Sequence, residues 1–329
     1  MTSVAVFANK GGVGKTSLVY HLAWMYAGLD FNVVVADLDP QANLTSMFLD
    51  DGEMEELWTG DRSNGTIYSV LRPLLYGTGD VTEPHIIEPA TGIGLVAGDL
   101  LLSGAEEEMA SNWPACLDRR PRAFRVQSAL WRSLHMAAAT MRADLILVDA
   151  GPSLGALNRA ALVTADHIVV PLAPDLYSIQ GLRKLGPTLR KWRQEWSERR
   201  ARNPLPDLDI PQGEMRPIGY VVLQHAVRLN RPVEAYERWL ERIPSAYREF
   251  VMDEPAESAL STQDDLHCVA TLKHFRSLVP LAQEARKPMF ALQPADGAIG
   301  GHANAVQGCY RDFRALAREV ARRCGVTPA

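Results

Sequence analysis

Three groups of residues in this chain could act together on a phosphate ester. The run Asn9-Lys10-Gly11-Gly12-Val13-Gly14-Lys15-Thr16-Ser17 follows an apolar stretch and opens a helix-like one. Glycines let backbone N–H groups curl around phosphate oxygens, and a helix N-terminus adds a favourable dipole. In such a loop Lys15 reaches the β- and γ-phosphates, and the Thr16 hydroxyl ligates Mg2+. The common pattern G-x-x-x-x-G-K-[ST] is met except at its first position, which Asn9 occupies; an extra lysine, Lys10, precedes the glycine pair. A glycine turn that merely caps a helix is a poor account of this strand–loop–helix context.

The second group is Asp37-Leu38-Asp39-Pro40-Gln41-Ala42-Asn43, closing the apolar run 32–36. Two carboxylates two residues apart at a strand end both project toward the nucleotide edge of a parallel sheet. The plainer reading is an acidic turn in which Pro40 stops the strand. The third is Asp149, which ends the apolar run 144–148 ahead of Ala150-Gly151-Pro152-Ser153-Leu154-Gly155. A strand ending in Asp is the Walker B arrangement, where the carboxylate holds Mg2+ through water; a strand-terminating Asp without metal is its alternative.

These groups need a scaffold that brings several strand ends to one edge. Continuous β-branched runs recur at 3–8, 32–36, 94–97, 144–148, 167–172 and 219–223, and 17–27 reads as a helix ended by Gly28. Runs that are apolar without alternation are strands covered on both faces, as in a parallel sheet. Alternation of strands and helices along the chain gives an α/β class: a P-loop NTPase with a mostly parallel central sheet flanked by helices on both faces. No repeat or linker divides the sequence, so it reads as one domain over 1–329 with elaborated loops at about 50–84 and 234–265. The Gly-, Asp-, Glu- and Thr-rich stretch 50–80 is expected to hold mobile loops, and the proline-rich 201–213 a loop between helix and strand.

A chain of 329 residues that is 47% hydrophobic can bury a sizeable core. Its formal charge of -5 speaks against a constitutively basic nucleic-acid binder, although local basic patches are compatible with it. Four cysteines, Cys116, Cys268, Cys309 and Cys324, lack metal-ligand spacing and fit a reducing cytosol. Neither a signal-like leader nor an apolar run near the roughly 20 residues of a membrane span is present, so the expectation is a soluble, cytoplasmic protein.

Lys10-Gly11-Gly12-Val13-Gly14-Lys15-Thr16 resembles the deviant Walker A motif of the ParA/MinD group of partition and positioning ATPases. The segment from Asp37 resembles that family's D-x-D-P-Q motif. Residues 94–103, 170–182, Lys287-Pro288-Met289-Phe290 and the last helix are also similar to family segments. The resemblance covers nearly the whole chain and is weakest at 50–84 and 234–265. It implies a slow ATPase that forms a homodimer on binding ATP and Mg2+ and is stimulated by a ParB-like or other activating protein. It assigns the nucleotide to Lys10, Gly11, Gly12, Val13, Gly14, Lys15, Thr16 and Ser17. Lys10 would cross the dimer interface to the partner's phosphates, offsetting charge as an arginine finger does. Asp39 would orient the attacking water, Asp37 would lie near the hydrated Mg2+, and Thr16 and Asp149 would hold the ion. Two features depart from the family. Gly151 replaces the first of two prolines, and Leu223-Gln224-His225-Ala226-Val227-Arg228 matches the expected base-pocket segment only at Arg228.

Two surfaces could engage a partner. Arg183, Lys184, Arg190, Lys191, Arg193, Arg199, Arg200 and Arg202 face only Glu195 and Glu198 in a basic stretch. Arg311, Arg314, Arg318, Arg322 and Arg323 lie on an amphipathic C-terminal helix with Tyr310, Phe313, Leu316, Ala317 and Val320 as its apolar side. In the ParA branch, ATP-bound dimers bind DNA without sequence preference through basic residues near such positions, which implies nucleoid association and sensitivity to salt. The alternative is that these arginines are solvated helix faces. A membrane role is not expected, because residues 322–329 offer almost no apolar surface. A second functional reading is a nucleotide switch that docks a protein client without DNA, motivated by the acidic charge and by Tyr236, Trp239, Tyr247 and Phe250.

Overall fold

The computed structural model describes residues 1–59, 65–223, 233–255, 261–275 and 277–327. Among them the β-branched runs form one sheet. Its strands are β1 (Thr2–Val6), β2 (Val33–Leu38), β3 (Ile87–Ala90), β4 (Ile93–Val96), β5 (Leu145–Ala150), β6 (His167–Leu172), β7 (Arg216–Leu223) and β8 (Cys268–Leu272). Their spatial order is β3-β4-β2-β5-β1-β6-β7-β8. Every neighbouring pair is parallel except β3–β4, so the C-terminal ends of β1, β2, β5 and β6 share one edge.

The helices are α1 (Lys15–Ala27), α2 (Asn43–Phe48), α3 (Asp51–Thr59), α4 (Ile67–Leu75), α5 (Ala105–Ala115), α6 (Pro121–Gln127), α7 (Ala129–Met141), α8 (Ala156–Val163), α9 (Leu176–Arg200), α10 (Val233–Ala246), α11 (Val279–Ala285) and α12 (Gly301–Cys324). Successive strand residues point to opposite faces. Val34, Ala36, Ile146 and Val148 pack with α4, α7, α8 and α9, whereas Val33, Val35, Leu145 and Leu147 pack with α1 and α12. Both sets are fully buried, which is why the runs carry no polar alternation.

The stretch 50–80, expected to hold loops, also forms α3 and α4; residues 76–80 lie outside them, and residues 60–64 lie outside the described ones. Ile67, Val70, Leu71 and Leu74 are buried at helical spacing, and the Thr66 side chain caps α4 by accepting from the Ser69 N–H. Its acidic, glycine-containing composition hid that periodicity. Strands β3 and β8 were also unanticipated. Both are at sheet edges, half-covered, and so lack the continuous apolar signature. The loop at 201–213 lies between α9 and β7, as its prolines suggest.

The aromatic segment 234–265 turns much of its surface inward. Tyr247 is fully buried against Tyr220, Trp239 packs on the core, and Phe250 lies under the Arg183 guanidinium at 4.9 Å. The side chain of Tyr236 is outside the described residues.

Candidate nucleotide and metal site

The loop after β1 turns sharply because Gly12 and Gly14 adopt left-handed backbone, with φ of 71° and 83°. Helix α1 then begins at Lys15, so its first N–H groups face the loop as an anion site. Lys15 is buried, and its ammonium donates to the Lys10 carbonyl at 3.2 Å. Burial lowers the Lys15 pKa, with the charges of Asp149 and Asp39 opposing. A bound phosphate would supply the counter-charge that this ammonium needs.

Asp37 and Asp149 are register partners on adjacent strands, and both are essentially inaccessible to solvent. Asp37 Oδ2 accepts from the Thr45 N–H and the Thr45 hydroxyl, each at 2.8 Å. That hydroxyl in turn accepts from the Gly98 N–H at 2.8 Å, and a Cβ on Gly98 would fall 2.8 Å from Asp37 Cγ. Thr45 and Gly98 were not singled out from the sequence; no local motif marks them. Burial pushes the Asp37 carboxyl up to about 6, with the Thr45 bonds opposing and the Asp39 charge adding. Asp149 differs: neither of its carboxylate oxygens is satisfied by a protein hydrogen bond of normal geometry. Burial and then the Asp37 charge raise its pKa well above the usual range, against the pull of Thr16 and Lys15.

Unsatisfied, buried carboxylate oxygens beside a threonine hydroxyl suit a hard cation such as Mg2+. Among the described residues no group of three His, Cys, Asp or Glu side chains could enclose an ion. An ion held by Thr16 and Asp149 would complete its shell with water and phosphate oxygens. Asp37 Oδ2 is committed to Thr45, and its Oδ1 accepts from the Asp39 N–H at 3.3 Å.

Gly11, Gly12, Gly14, Lys15, Thr16 and Asp39 line a cavity of about 740 Å3, ample for a nucleotide. Its far wall includes Gln283 on α11 and Met289 of the 3-10 turn Met289–Ala291. His21 ties that turn to α1. Its Nδ1 bonds the Ser17 carbonyl at 2.6 Å, and its Nε2 accepts from the Met289 N–H at 3.2 Å. Those partners require a neutral ring protonated on Nδ1, and burial pushes its pKa down to about 4. The sequence signal was slight: one histidine in an otherwise apolar helix. Leu223 lies beside Gly14, but residues 224–232, including Arg228 and the rest of the expected base-pocket segment, lie outside the described ones.

Asp39 is almost buried, and its Oδ1 accepts from the Gln41 N–H at 3.0 Å. It lines both the nucleotide cavity and a neighbouring one of about 330 Å3 bordered by Gly151 and Asn158. Lys10 folds back on its own chain: its ammonium pairs with Asp175 and lies 5.8 Å from the Tyr177 ring centre. Although burial raises the Asp175 pKa, the bonds from Lys10 and Ser178 outweigh it and hold the carboxyl below its usual range.

The basic stretches divide into fixed and exposed cations. Arg199 is buried over the Trp113 ring at 4.4 Å and donates to the Trp113 and Glu195 carbonyls. Arg190 bonds the Phe250 and Val251 carbonyls, and Arg193 those of Glu214 and Met215. Arg183, Lys184 and Lys191 are exposed on α9, Arg202 lies just beyond its end and pairs with Glu198, and Arg311 and Arg318 are exposed on α12. Arg322 and Arg323 pair with Glu319. Phe313, Leu316, Ala317 and Val320 form the buried side of α12, while Tyr310 is 41% exposed and departs from the expected stripe. Among the described residues no helix is long and apolar enough to cross a membrane.

Comparison with known proteins agrees with these motifs. A family model described as AAA domain matches residues 1–201. The chain is similar to the chromosome-partitioning ATPase Soj of Thermus thermophilus, 32% identical over 190 residues, covering 58% of this chain and 62% of that protein. The chain thus spans less than two thirds of that relative. A Corynebacterium diphtheriae protein of known structure shares the fold with a TM-score of 0.72 at 22% identity, covering 98% of both chains. So does a putative plasmid partition protein from Borrelia burgdorferi bound to AMPPNP, with a TM-score of 0.60 at 16% identity, covering 98% of this chain and 99% of that one.

Proposed function

Because the chain belongs to the ParA/MinD family of P-loop ATPases, we propose that it binds ATP with Mg2+, dimerises in that state and hydrolyses ATP slowly. The observation that carries this reading is the pairing of buried Lys15 under the glycine loop with the unsatisfied, buried carboxylate of Asp149. A buried lysine and a buried carboxylate without a hydrogen-bond partner are both relieved by a phosphate–metal complex.

In this reading the N–H groups from Gly11 to Ser17 cradle the phosphates and Lys15 neutralises the β- and γ-groups. Thr16 and Asp149 hold the ion, with Asp37 adding charge; the bound Mg2+ would screen charge on the transferring phosphate. Asp39 orients the attacking water. Lys10 leaves Asp175 and reaches the nucleotide of a second subunit, making hydrolysis conditional on dimerisation. Residues 1–329 act as one unit. A ParB-like or other protein would stimulate turnover.

The ATP dimer would bind DNA without sequence preference through the exposed cations of α9 or α12, and so partition or position DNA or another cargo on the nucleoid of the cytoplasm. The chromosome-partitioning role named for Soj supports this over the docking of a protein client. The inward use of Trp239, Tyr247 and Phe250 removes much of the motive for the client reading. The test is Asp39→Ala, expected to bind ATP without hydrolysing it. Its mass and its affinity for random duplex DNA are measured with ATP and with ADP across a salt series. A dimer with ATP that binds DNA and releases it at higher salt supports the proposal. A dimer that ignores DNA at every salt keeps the switch and moves its partner to protein.

A further inference from the structure

Asn158 lies in the first turn of α8 and is 3% exposed. Its Nδ2 donates to the Ser153 carbonyl at 2.9 Å and to the Ser153 hydroxyl at 2.8 Å. A carbonyl can only accept, so this bond fixes which end of the amide is nitrogen. Oδ1 is thereby turned the other way, where it is buried and meets no hydrogen-bond partner. A buried polar atom left in this state asks for a ligand or a water.

The space beside it is defined by a missing side chain. Asp39, Gly151 and Asn158 all line the cavity of about 330 Å3 next to the nucleotide cavity. A Cβ built on Gly151 would sit 3.4 Å from Asp39 Oδ1 and from Asn158 Nδ2, and 3.5 Å from Asn158 Oδ1. Without that carbon, the two oxygens flank a gap. Asp39 also lines the larger cavity under the glycine loop, so the gap adjoins the place where a terminal phosphate would rest.

The geometry points to Asn158 as a second water-positioning residue: its Oδ1 and Asp39 accept the two hydrogens of one water molecule in the gap that Gly151 leaves. A water donating both hydrogens turns its lone pairs away from the two acceptors, and in this site that direction serves attack on phosphorus. The water oxygen bonds to the γ-phosphorus as the bond to the bridging oxygen breaks, and that electron pair leaves on ADP. One water proton stays on the oxygen now bonded to phosphorus, and the other passes through Asp39 to solvent. The inference rests on the proposed hydrolysis of ATP and adds to it a residue and a required space.

The test compares Gly151→Ala, Asn158→Leu, Asn158→Asp and Asp39→Ala in the full chain, reading melting temperature, nucleotide affinity and single-turnover phosphate release with Mg-ATP. The nearest contacts of an alanine Cβ at 151 are at ordinary packing distances, so Gly151→Ala should fold while filling the gap. Its phosphate release is expected to fall about tenfold or more with nucleotide affinity unchanged, and Asn158→Leu should match it. Asn158→Asp gives up both donations to Ser153 but keeps the oxygen, and should release phosphate faster than Asn158→Leu. A purely structural Asn158 predicts no such recovery.

Gly151→Ala turning over at the parental rate overturns the inference. So does a Gly151→Ala variant that loses affinity rather than turnover, because the gap would then serve the nucleotide itself. If Asp39→Ala is inactive while Gly151→Ala and Asn158→Leu are not, the inference falls and the ATPase reading stands. An unmutated chain that binds ATP without ever releasing phosphate removes both.

Discussion

The Lys10 ammonium is paired with the carboxylate of Asp175, the residue whose side chain caps helix α9 through the Ser178 N–H. The lysine proposed to act in the partner subunit is therefore held in its own subunit before any partner arrives. Both side chains are about a quarter exposed, and a solvent-screened pair of this kind is worth at most about 1 kcal/mol. Multiply charged phosphates in a closed dimer would outbid a single carboxylate. The pair is thus strong enough to orient Lys10 and weak enough to release it.

Asp175→Asn should test that relationship cleanly. Asparagine is as good a helix cap as aspartate, so the start of α9 should survive while the charge is lost. Dimerisation on ATP frees Lys10 in both subunits, so it is expected to strengthen by up to about thirtyfold, the equivalent of roughly 2 kcal/mol. Sedimentation with ATP and with ADP reads the change. Dimerisation that is unaltered or weaker would mean that Asp175 does not hold Lys10 back.

A second prediction concerns the crowded carboxylates. The folded protein raises the Asp37 pKa to about 6 and that of Asp149 well above its ordinary value. Protonation is therefore favoured in the fold. The associated stability is fully present below the ordinary carboxylate pKa near 4 and is lost as pH rises through about 6. His21, pushed down to about 4, acts oppositely and destabilises the fold as pH falls below 6.5. Melting curves of the parent without nucleotide should therefore be compared with those of Asp149→Asn, in which His21 is unchanged. The parent should lose ground to the variant as pH is raised from 4 to 7. Mg-ATP should stabilise the parent far more than the variant. A difference that is flat with pH would remove the account of strained carboxylates.

The strands that carry the proposed chemistry were legible because burial on both faces leaves an unbroken apolar run, and each of these runs leads into a proposed site group: the glycine loop, Asp37 or Asp149. What escaped was tertiary. The hold of Thr45 on Asp37 spans eight residues and a turn, and depends on Gly98 from a different strand end. Arg199 reads as one more surface cation in a basic stretch, yet it stacks on Trp113 from a helix far away in sequence. Edge strands β3 and β8 carry half-apolar sequences that resemble loops. The departure at Gly151 was visible in the sequence, but its meaning depended on finding Asp39 and Asn158 on either side of it.

His21 offers a third test, on the wall of the nucleotide cavity. His21→Leu removes the acceptor for the Met289 N–H and the stacking partner of Phe313, whose ring centre lies 4.8 Å away. An orphaned buried donor costs about 1–3 kcal/mol, so urea unfolding should report a loss of that order. Because Met289 lines the cavity, nucleotide affinity should fall as well, while phosphate release from the bound state should be nearly unchanged. A variant as stable as the parent would mean that the turn Met289–Ala291 does not depend on this bond.

The last prediction separates the cations that hold the fold from those that could meet DNA. Lys184 and Arg318 are exposed on α9 and α12, which pack on opposite faces of the sheet. Replacing either with alanine should leave the melting temperature within a degree or two, since exposed charges contribute little to stability. If Lys184 or Arg318 contacts phosphate, its loss weakens DNA binding by the ATP dimer and lowers the slope of log affinity against log salt by about 0.9 for each contact removed. Arg199→Ala should behave differently. It strips the cation from the face of Trp113 and removes a side-chain donor from the Trp113 and Glu195 carbonyls, so about 2–4 kcal/mol of stability should go. Any loss of DNA binding by Arg199→Ala should follow its unfolding and keep the parental salt slope. Testing Lys184→Ala and Arg318→Ala separately identifies the sheet face that meets DNA. Unchanged slopes in both would place the contacts elsewhere.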